Sequence, residues 1–183
     1  MPNLETKAPY PDLAEARRIA QSLHAAPHER LRQTDTYFST RQGRLKLREI
    51  SALDDPAAPA RAELIPYLRA DTEGARVSDY LVQPVADPLG LKRLFTAMLG
   101  VEIVVEKVRE VYLVDNVRIH LDAVEGLGGF LELEAVYDDA DPQGADGQRG
   151  KVEALLAALR LGAGDLLAGS YRELCLAGLS DEA

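Results

Sequence analysis

Residues 44–48 read RLKLR, and the architecture of the chain turns on how that alternation is laid out in space. Successive side chains of a strand point to opposite faces. Arg44, Lys46 and Arg48 then share one face, and Leu45 and Leu47 share the other. Three like charges in a row repel one another unless negative groups sit among them. The same parity recurs along the chain. In EKVRE, Lys107 and Arg109 lie opposite Val108. In VRIHLD, Arg118, His120 and Asp122 share a face. In FLELE, Glu132 and Glu134 oppose Leu131 and Leu133. Glu63 and Arg69 agree in parity within AELIPYLR, as do Glu5 and Lys7 within LETK.

An antiparallel sheet commonly keeps one apolar face on a core and one polar face in water. Any single strand here fits that pattern. Taken together they depart from it, because one strand face is wholly cationic, another wholly anionic, and arginine dominates. Solvated faces tend to pair opposite charges across strands. A sheet of this length can curl or close. Closed with this parity, it has a charged lumen and an apolar exterior covered by helices.

The rest of the chain supplies such a sheet. ETKAPYP begins as a short strand and breaks at Pro9 and Pro11. Residues 12–25 carry Leu13, Ala16, Ala20 and Leu23 at helical spacing, with Asp12 as N-cap. Residues 32–40 and 44–51 form a hairpin across RQG, and 52–60 form a Pro/Ala/Asp loop. Strands are expected over 61–71, where Pro66 indicates an edge or bulge, and over 78–85. A helix capped by Asp87 runs to Gly100. Strands at 102–115, 117–125 and 129–137 follow, then an acidic, Gly-rich loop at 138–150. A helix at 151–161 and a short one from Ser170 end the chain. The expected class is α+β, one domain over 1–183, an antiparallel sheet with helices on its outside.

The 183 residues, 46% of them hydrophobic, suffice for a core without metal or disulfide staples. Cys175 is the lone cysteine and reads as a small buried hydrophobe. The N-terminus has no apolar stretch of signal-peptide kind, and no run is long enough to span a membrane. A cytoplasmic protein is expected. A net charge of −9 argues against a general nucleic-acid binder, whose affinity rests on cations that neutralise phosphates. It leaves room for a local basic pocket. Arginine suits bidentate phosphate contacts. Carboxylates in the same lumen suit Mg²⁺ or Mn²⁺, which bind oxygen and bridge to phosphates.

The motifs QTDTYF, GRLKLR, AELIPYLR, EKVREVY, VRIHLDAVEGLGGFLELE and SYREL, in this order, resemble the CYTH family of triphosphate tunnel metalloenzymes. That family includes class IV adenylate cyclases, thiamine triphosphatases and inorganic triphosphatases. The resemblance implies an eight-stranded antiparallel β-barrel whose tunnel binds a triphosphate with divalent metal. It assigns the triphosphate to Lys7, Arg44, Lys46, Arg48, Arg69, Lys107, Arg109 and Arg118, with Lys7, Arg44, Lys46, Arg48 and Arg118 at the reacting centre. It assigns metal to Glu5, Glu132 and Glu134, with Asp122 and Glu63 as further ligands. His120 is set aside as structural. One departure stands out: the family's Glu-x-Glu-x-Lys signature is here Asn3-Leu4-Glu5-Thr6-Lys7, with an amide in place of the first carboxylate.

The short segment between Phe38 and Arg44 resembles the class IV cyclase branch, which implies conversion of ATP to cyclic AMP and pyrophosphate. Hydrolysis of inorganic or organic triphosphate is the alternative. A non-catalytic polyphosphate or nucleotide binder, favoured by Asn3, is the third reading. A homodimer through the region of Pro66 or the 52–60 loop is compatible with the sequence. No nucleophile elbow or Cys–His pair is present, and GLGG at 126–129 lacks the lysine of a P-loop and reads as a hairpin turn.

Overall fold

A computed structural model describes residues 3–68, 79–138 and 144–181. Its strands are β1 (Asn3–Pro9), β2 (Ala26–Phe38), β3 (Arg44–Ala52), β4 (Arg61–Leu68), β5 (Asp79–Tyr80), β6 (Gln83–Pro84), β7 (Val101–Val114), β8 (Val117–Val124) and β9 (Gly128–Val136). The helices are α1 (Leu13–Ser22), α2 (Pro88–Leu99), α3 (Gly144–Ala158) and α4 (Tyr171–Asp181). All strand pairs are antiparallel, in the order β1-β9-β8-β7-β2-β3-β4-β5, with β6 also on β4.

The α+β class and the antiparallel meander are as expected. Among the described residues, hydrogen bonds do not close the sheet into an eight-stranded barrel. Nine strands are present among the described residues, two of them only two residues long, and no ladder joins β1 to β4, β5 or β6. Prolines weaken that far edge: Pro66 in β4 and Pro84 in β6 offer no N–H to a neighbour. The sheet still curls far enough that side chains from β1 and β4, at its two ends, line one cavity.

Two further boundaries moved. β2 begins at Ala26, six residues before the hydrophobic pattern starts, because the 14-residue β7 gives this polar segment a partner. A bulge between Pro27 and Glu29 absorbs the proline. The helix expected at 151 begins at Gly144, and the buried Gln148 anchors its first turns by accepting a hydrogen bond from Asn116. Both predicted N-caps form: Asp12 accepts from the Glu15 N–H and Asp87 from the Gly90 N–H, each at 2.9 Å.

The leucines of RLKLR face outward. Leu47 is fully buried with Phe38 and Ala62 under Leu91, Phe95 and Leu99 of α2. Burial of one such leucine contributes roughly 1.5–3 kcal/mol. On the other flank, Leu4, Ile119, Leu121, Leu131 and Leu133 pack under α1 and α3. The fourth helix departs from the expectation that all helices lie outside. Tyr171 of α4 packs with Tyr37, Val105, Val124 and Phe130, which have the parity of the charged face. α4 therefore stops one end of the bore, because that end is lined by apolar and aromatic side chains that need a partner.

Close approach of β1 to β9 requires a glycine. A Cβ on Gly129 would sit 2.4 Å from the Tyr10 carbonyl oxygen, while the Tyr10 N–H donates to the Gly129 carbonyl at 2.8 Å. Gly129→Ala is expected to destabilise the protein by roughly 1–3 kcal/mol, the usual cost of overpacking, read as a lower urea midpoint at unchanged slope.

Candidate active site in a charged bore

The inward face of the curled sheet encloses a cavity of about 480 Å³. β1 contributes Asn3, Glu5 and Lys7; β3 contributes Lys46 and Arg48; β4 contributes Glu63. β7 brings Lys107 and Arg109, β8 brings Arg118 and His120, and β9 brings Glu132 and Glu134. Asp122 is buried beside Arg109. Of the residues singled out from the sequence, Arg69 lies outside the described residues. Arg44 sits at the α4 end, 2.8 Å from Glu173, and does not line this cavity.

Two ion networks hold the lining. In the first, Asp35 receives Lys46 at 3.0 Å and both Nε and Nη2 of Arg48 at 2.7 Å. In the second, Arg109 donates to Asp122 at 2.7 and 2.6 Å and to Glu132 at 3.1 Å. Glu132 also lies 3.1 Å from Lys7 Nζ and 3.0 Å from His120 Nδ1. The Tyr171 hydroxyl donates to Asp122 at 2.8 Å, and its ring lies under Lys7 and Lys107 at 4.2 and 4.8 Å. Cation–π contacts of this kind strengthen when desolvated.

Protonation follows from burial and partners. Burial pushes the Asp122 and Glu132 carboxyls up, but Arg109, with Lys107 beside the first and Lys7 beside the second, holds both well below the usual range. Burial likewise opposes ionisation of Asp35, and Arg48 and Lys46 overcome it. Burial would lower Lys7, but Glu132 and Glu5 hold it above its ordinary value. Lys107 is lowered to about 7 by burial and by Arg109. Lys46 is lowered to about 8 by burial and Arg48, against the pull of Asp35. Tyr171 is pushed far up by burial and by Asp122, so its phenol stays neutral and donates.

Three members of these networks were not assigned from sequence. Asp35 has the parity of Tyr37 within QTDTYF, so the alternation test applied to that strand identifies it. His120 had the right parity and proves to be a Glu132 partner. Tyr171 is one residue of a short helix, and nothing in the sequence points it into the bore.

Among the described residues, no three acidic or histidine side chains converge as a ready-made metal cluster. The donor chemistry nevertheless fits a hard cation. Glu5 and Glu134 stand directly opposite each other on β1 and β9. Like charges so placed repel unless a cation lies between them. Asn3 donates to Glu134 at 2.6 Å and Arg118 donates to it at 3.1 Å, so here the amide orients a carboxylate. Mg²⁺ is commonly held by one or two carboxylates, with substrate oxygens and water completing its shell.

Residues 1–171 match the CYTH domain model, and the chain belongs to that family. No curated protein matches it in sequence. Among solved structures, PH1012 of Pyrococcus horikoshii OT3 is 24% identical with a TM-score of 0.77, over 94% of this chain and 98% of its own. A protein of Vibrio parahaemolyticus, described as a candidate adenylate cyclase, is 20% identical with a TM-score of 0.74, over 96% and 98%. HpAC1 of Hippeastrum, described as a candidate adenylyl cyclase with a dominant triphosphatase activity, is 17% identical with a TM-score of 0.58, over 86% and 87%. These likenesses concern the fold. No helix among the described residues is long and apolar enough to cross a membrane.

Two stability measurements probe the networks. Asp122→Asn leaves the buried Arg109 with Glu132 alone, a carboxylate already shared with Lys7 and His120, and is expected to cost about 3–5 kcal/mol in urea unfolding. Lys107 also gives a pH signature. Between pH 7 and 10 the folded Lys107 is neutral and the unfolded one protonated, so the unfolded state binds more protons and stability rises with pH. Lys46 adds the same sign from about 8, and Lys7, raised, weakens the fold only above its ordinary value. Lys107→Met is expected to flatten the rise that begins near pH 7, as read from unfolding midpoints across that range.

Proposed function

We propose that this chain binds a triphosphate in the bore and transforms it with the help of a divalent cation, Mg²⁺ or Mn²⁺. The reaction we assign is cyclisation of ATP to cyclic AMP and pyrophosphate. The observation that carries the reading is the gathering of Lys7, Lys46, Arg48, Lys107, Arg109 and Arg118 around one cavity from four strands. So many inward cations have no use in a packed core, and membership of the CYTH family supports the same assignment.

In this reading Lys46, Arg48, Lys107 and Arg109 grip phosphate oxygens along the bore, joined by Lys7 and Arg118, and Arg44 and Arg69 complete the set of assigned cations. Arginine forks fix orientation and lysines add point charge. Glu5, Glu134 and Glu132 would hold the cation, with Glu63 of β4 on the same cavity and Asp122 joined to the network through Arg109. Bound there, a divalent cation would neutralise phosphate oxygens and stabilise charge that develops in transfer. Residues of the bore hold the triphosphate so that the ribose 3′-hydroxyl lines up with the α-phosphorus and pyrophosphate can leave opposite. Positioning and electrostatic stabilisation suffice for such chemistry without a protein nucleophile. Triphosphate hydrolysis is the second reading, favoured by the activity described for HpAC1 on the same fold.

Incubation with Mg²⁺ or Mn²⁺ and either ATP or tripolyphosphate distinguishes these. Cyclic AMP with pyrophosphate supports cyclisation, orthophosphate supports hydrolysis, and binding without product leaves a carrier. Glu132→Gln or Glu134→Gln is expected to reduce metal-dependent turnover at least 100-fold, and Arg48→Ala to raise KM. Unchanged turnover in all three rejects the assignment. Asn3→Glu is expected to tighten metal binding, measured by Mn²⁺ titration.

A further inference from the structure

The bore is not charged throughout. Leu31, Ile50 and Val111 also line the cavity, on the neighbouring strands β2, β3 and β7. They are only 3%, 5% and 4% exposed, yet they belong to none of the three packed hydrophobic clusters. Gln33 stands in the same wall, directly opposite Ile50 on one side and Lys107 on the other. It is 4% exposed, and its Oε1 has no hydrogen-bond partner. A buried polar atom without a partner costs about 1–3 kcal/mol. The apolar strip adjoins the cation group, since Leu31 pairs with Arg109 in the β2–β7 ladder.

A bare polyphosphate has no use for this wall. Its oxygens gain nothing from aliphatic side chains, and it carries acceptors, so it cannot satisfy a free amide oxygen. A nucleobase matches it on both counts. Its faces are flat and apolar, and an exocyclic amine on its edge donates a hydrogen bond. Ligand sites commonly combine apolar walls with a few placed polar groups. A glutamine amide is a known complement to the donor–acceptor edge of adenine.

We propose that Leu31, Ile50 and Val111 seat the base of a nucleoside triphosphate and that Gln33 Oε1 accepts from its exocyclic amine. Gln33 is then a specificity-determining residue, and the preferred substrate is an amino-bearing nucleoside triphosphate over a base-free one. This rests on the triphosphate reading of the same cavity, which supplies the grip on the phosphates next to the strip.

The test is a set of equilibrium titrations of the full chain with Mg²⁺ present. The ligands are ATP, ribose 5-triphosphate and the triphosphate of purine riboside, which lacks the 6-amino group. ATP is expected to bind at least tenfold more tightly than ribose 5-triphosphate, with the amine-free purine between them. Gln33→Leu, similar in size and without the acceptor, is expected to bring ATP down to the amine-free level. Wild-type protein that binds ribose 5-triphosphate as tightly as ATP overturns the base seat and leaves the triphosphate reading standing. Binding of none of the three overturns the triphosphate reading and the base seat with it. Equal binding of ATP and the amine-free purine overturns the role of Gln33. The ligand comparisons use wild-type protein, so they stand even if Gln33→Leu fails to fold.

Discussion

The fold depends on placing charge inside a sheet. Arg48, Lys107 and Arg109 point into a closed-in space, and each would be expensive there alone. Asp35 and Asp122, 3% and 0% exposed, make this tolerable by holding the cations of β3 and of β7. The carboxylates stay ionised because the cations are present, and the cations stay in place because the carboxylates are ionised. Removal of either leaves the other unpaired, so the two networks are held together or not at all. With charge on the inside, the outward faces of β1, β3, β8 and β9 carry buried aliphatic groups, and these fix α1 and α3 on one flank and α2 on the other.

This arrangement explains why the sheet was legible as alternation. In RLKLR, VRIHLD and LELE, polar and apolar groups take turns, in EKVRE the two cations flank Val108, and each charged residue named from them that is described has the inward parity. What alternation cannot convey is pairing across the two ends of the sheet. Closure depends on backbone groups of β1 and of β4 to β6, and side-chain parity is the same whether a curled sheet meets its other edge or stops short. Helix boundaries failed for a related reason. GADGQRG at 144–150 has a loop's composition, and it turns helical because Asn116, thirty-odd residues earlier, gives Gln148 a partner. β2 extends over APHERL because β7 is long enough to receive it.

The site was legible in the same measure. Residues whose role is charge were visible by type and spacing. Those whose role is to organise charge were not. Asp35 is one acid in a polar strand, and its importance comes from Lys46 and Arg48 across the hairpin. Tyr171 touches Asp122, Lys7 and Lys107 only because α4 enters the bore. Its neighbours in that helix reinforce the placement: Glu173 meets Arg44, and Arg172 meets Glu102 of β7. α4 thus makes one end of the bore aromatic and closed, while Glu5 and Arg118, away from it, are exposed to solvent.

The balance of charge bears on how a polyanion would be held. The cations and carboxylates of the lining nearly match one for one, so the bore is close to neutral as it stands. A triphosphate that enters it meets cations already engaged. It must either draw Lys46, Arg48 and Arg109 away from Asp35 and Asp122, leaving those acids unpaired, or bring positive charge with it. Displacement of the acids is costly because they are the most deeply buried groups of the site. A divalent cation beside Glu5 and Glu134 would supply the missing charge at a place where two carboxylates stand opposite each other. On the proposed function, dependence on a cation is therefore a consequence of how the fold neutralises itself, before any contribution of the cation to the chemistry. Lys107 fits the same logic. Its pKa is lowered to about 7 by burial and Arg109, so on that function a polyanion beside it would favour the protonated form.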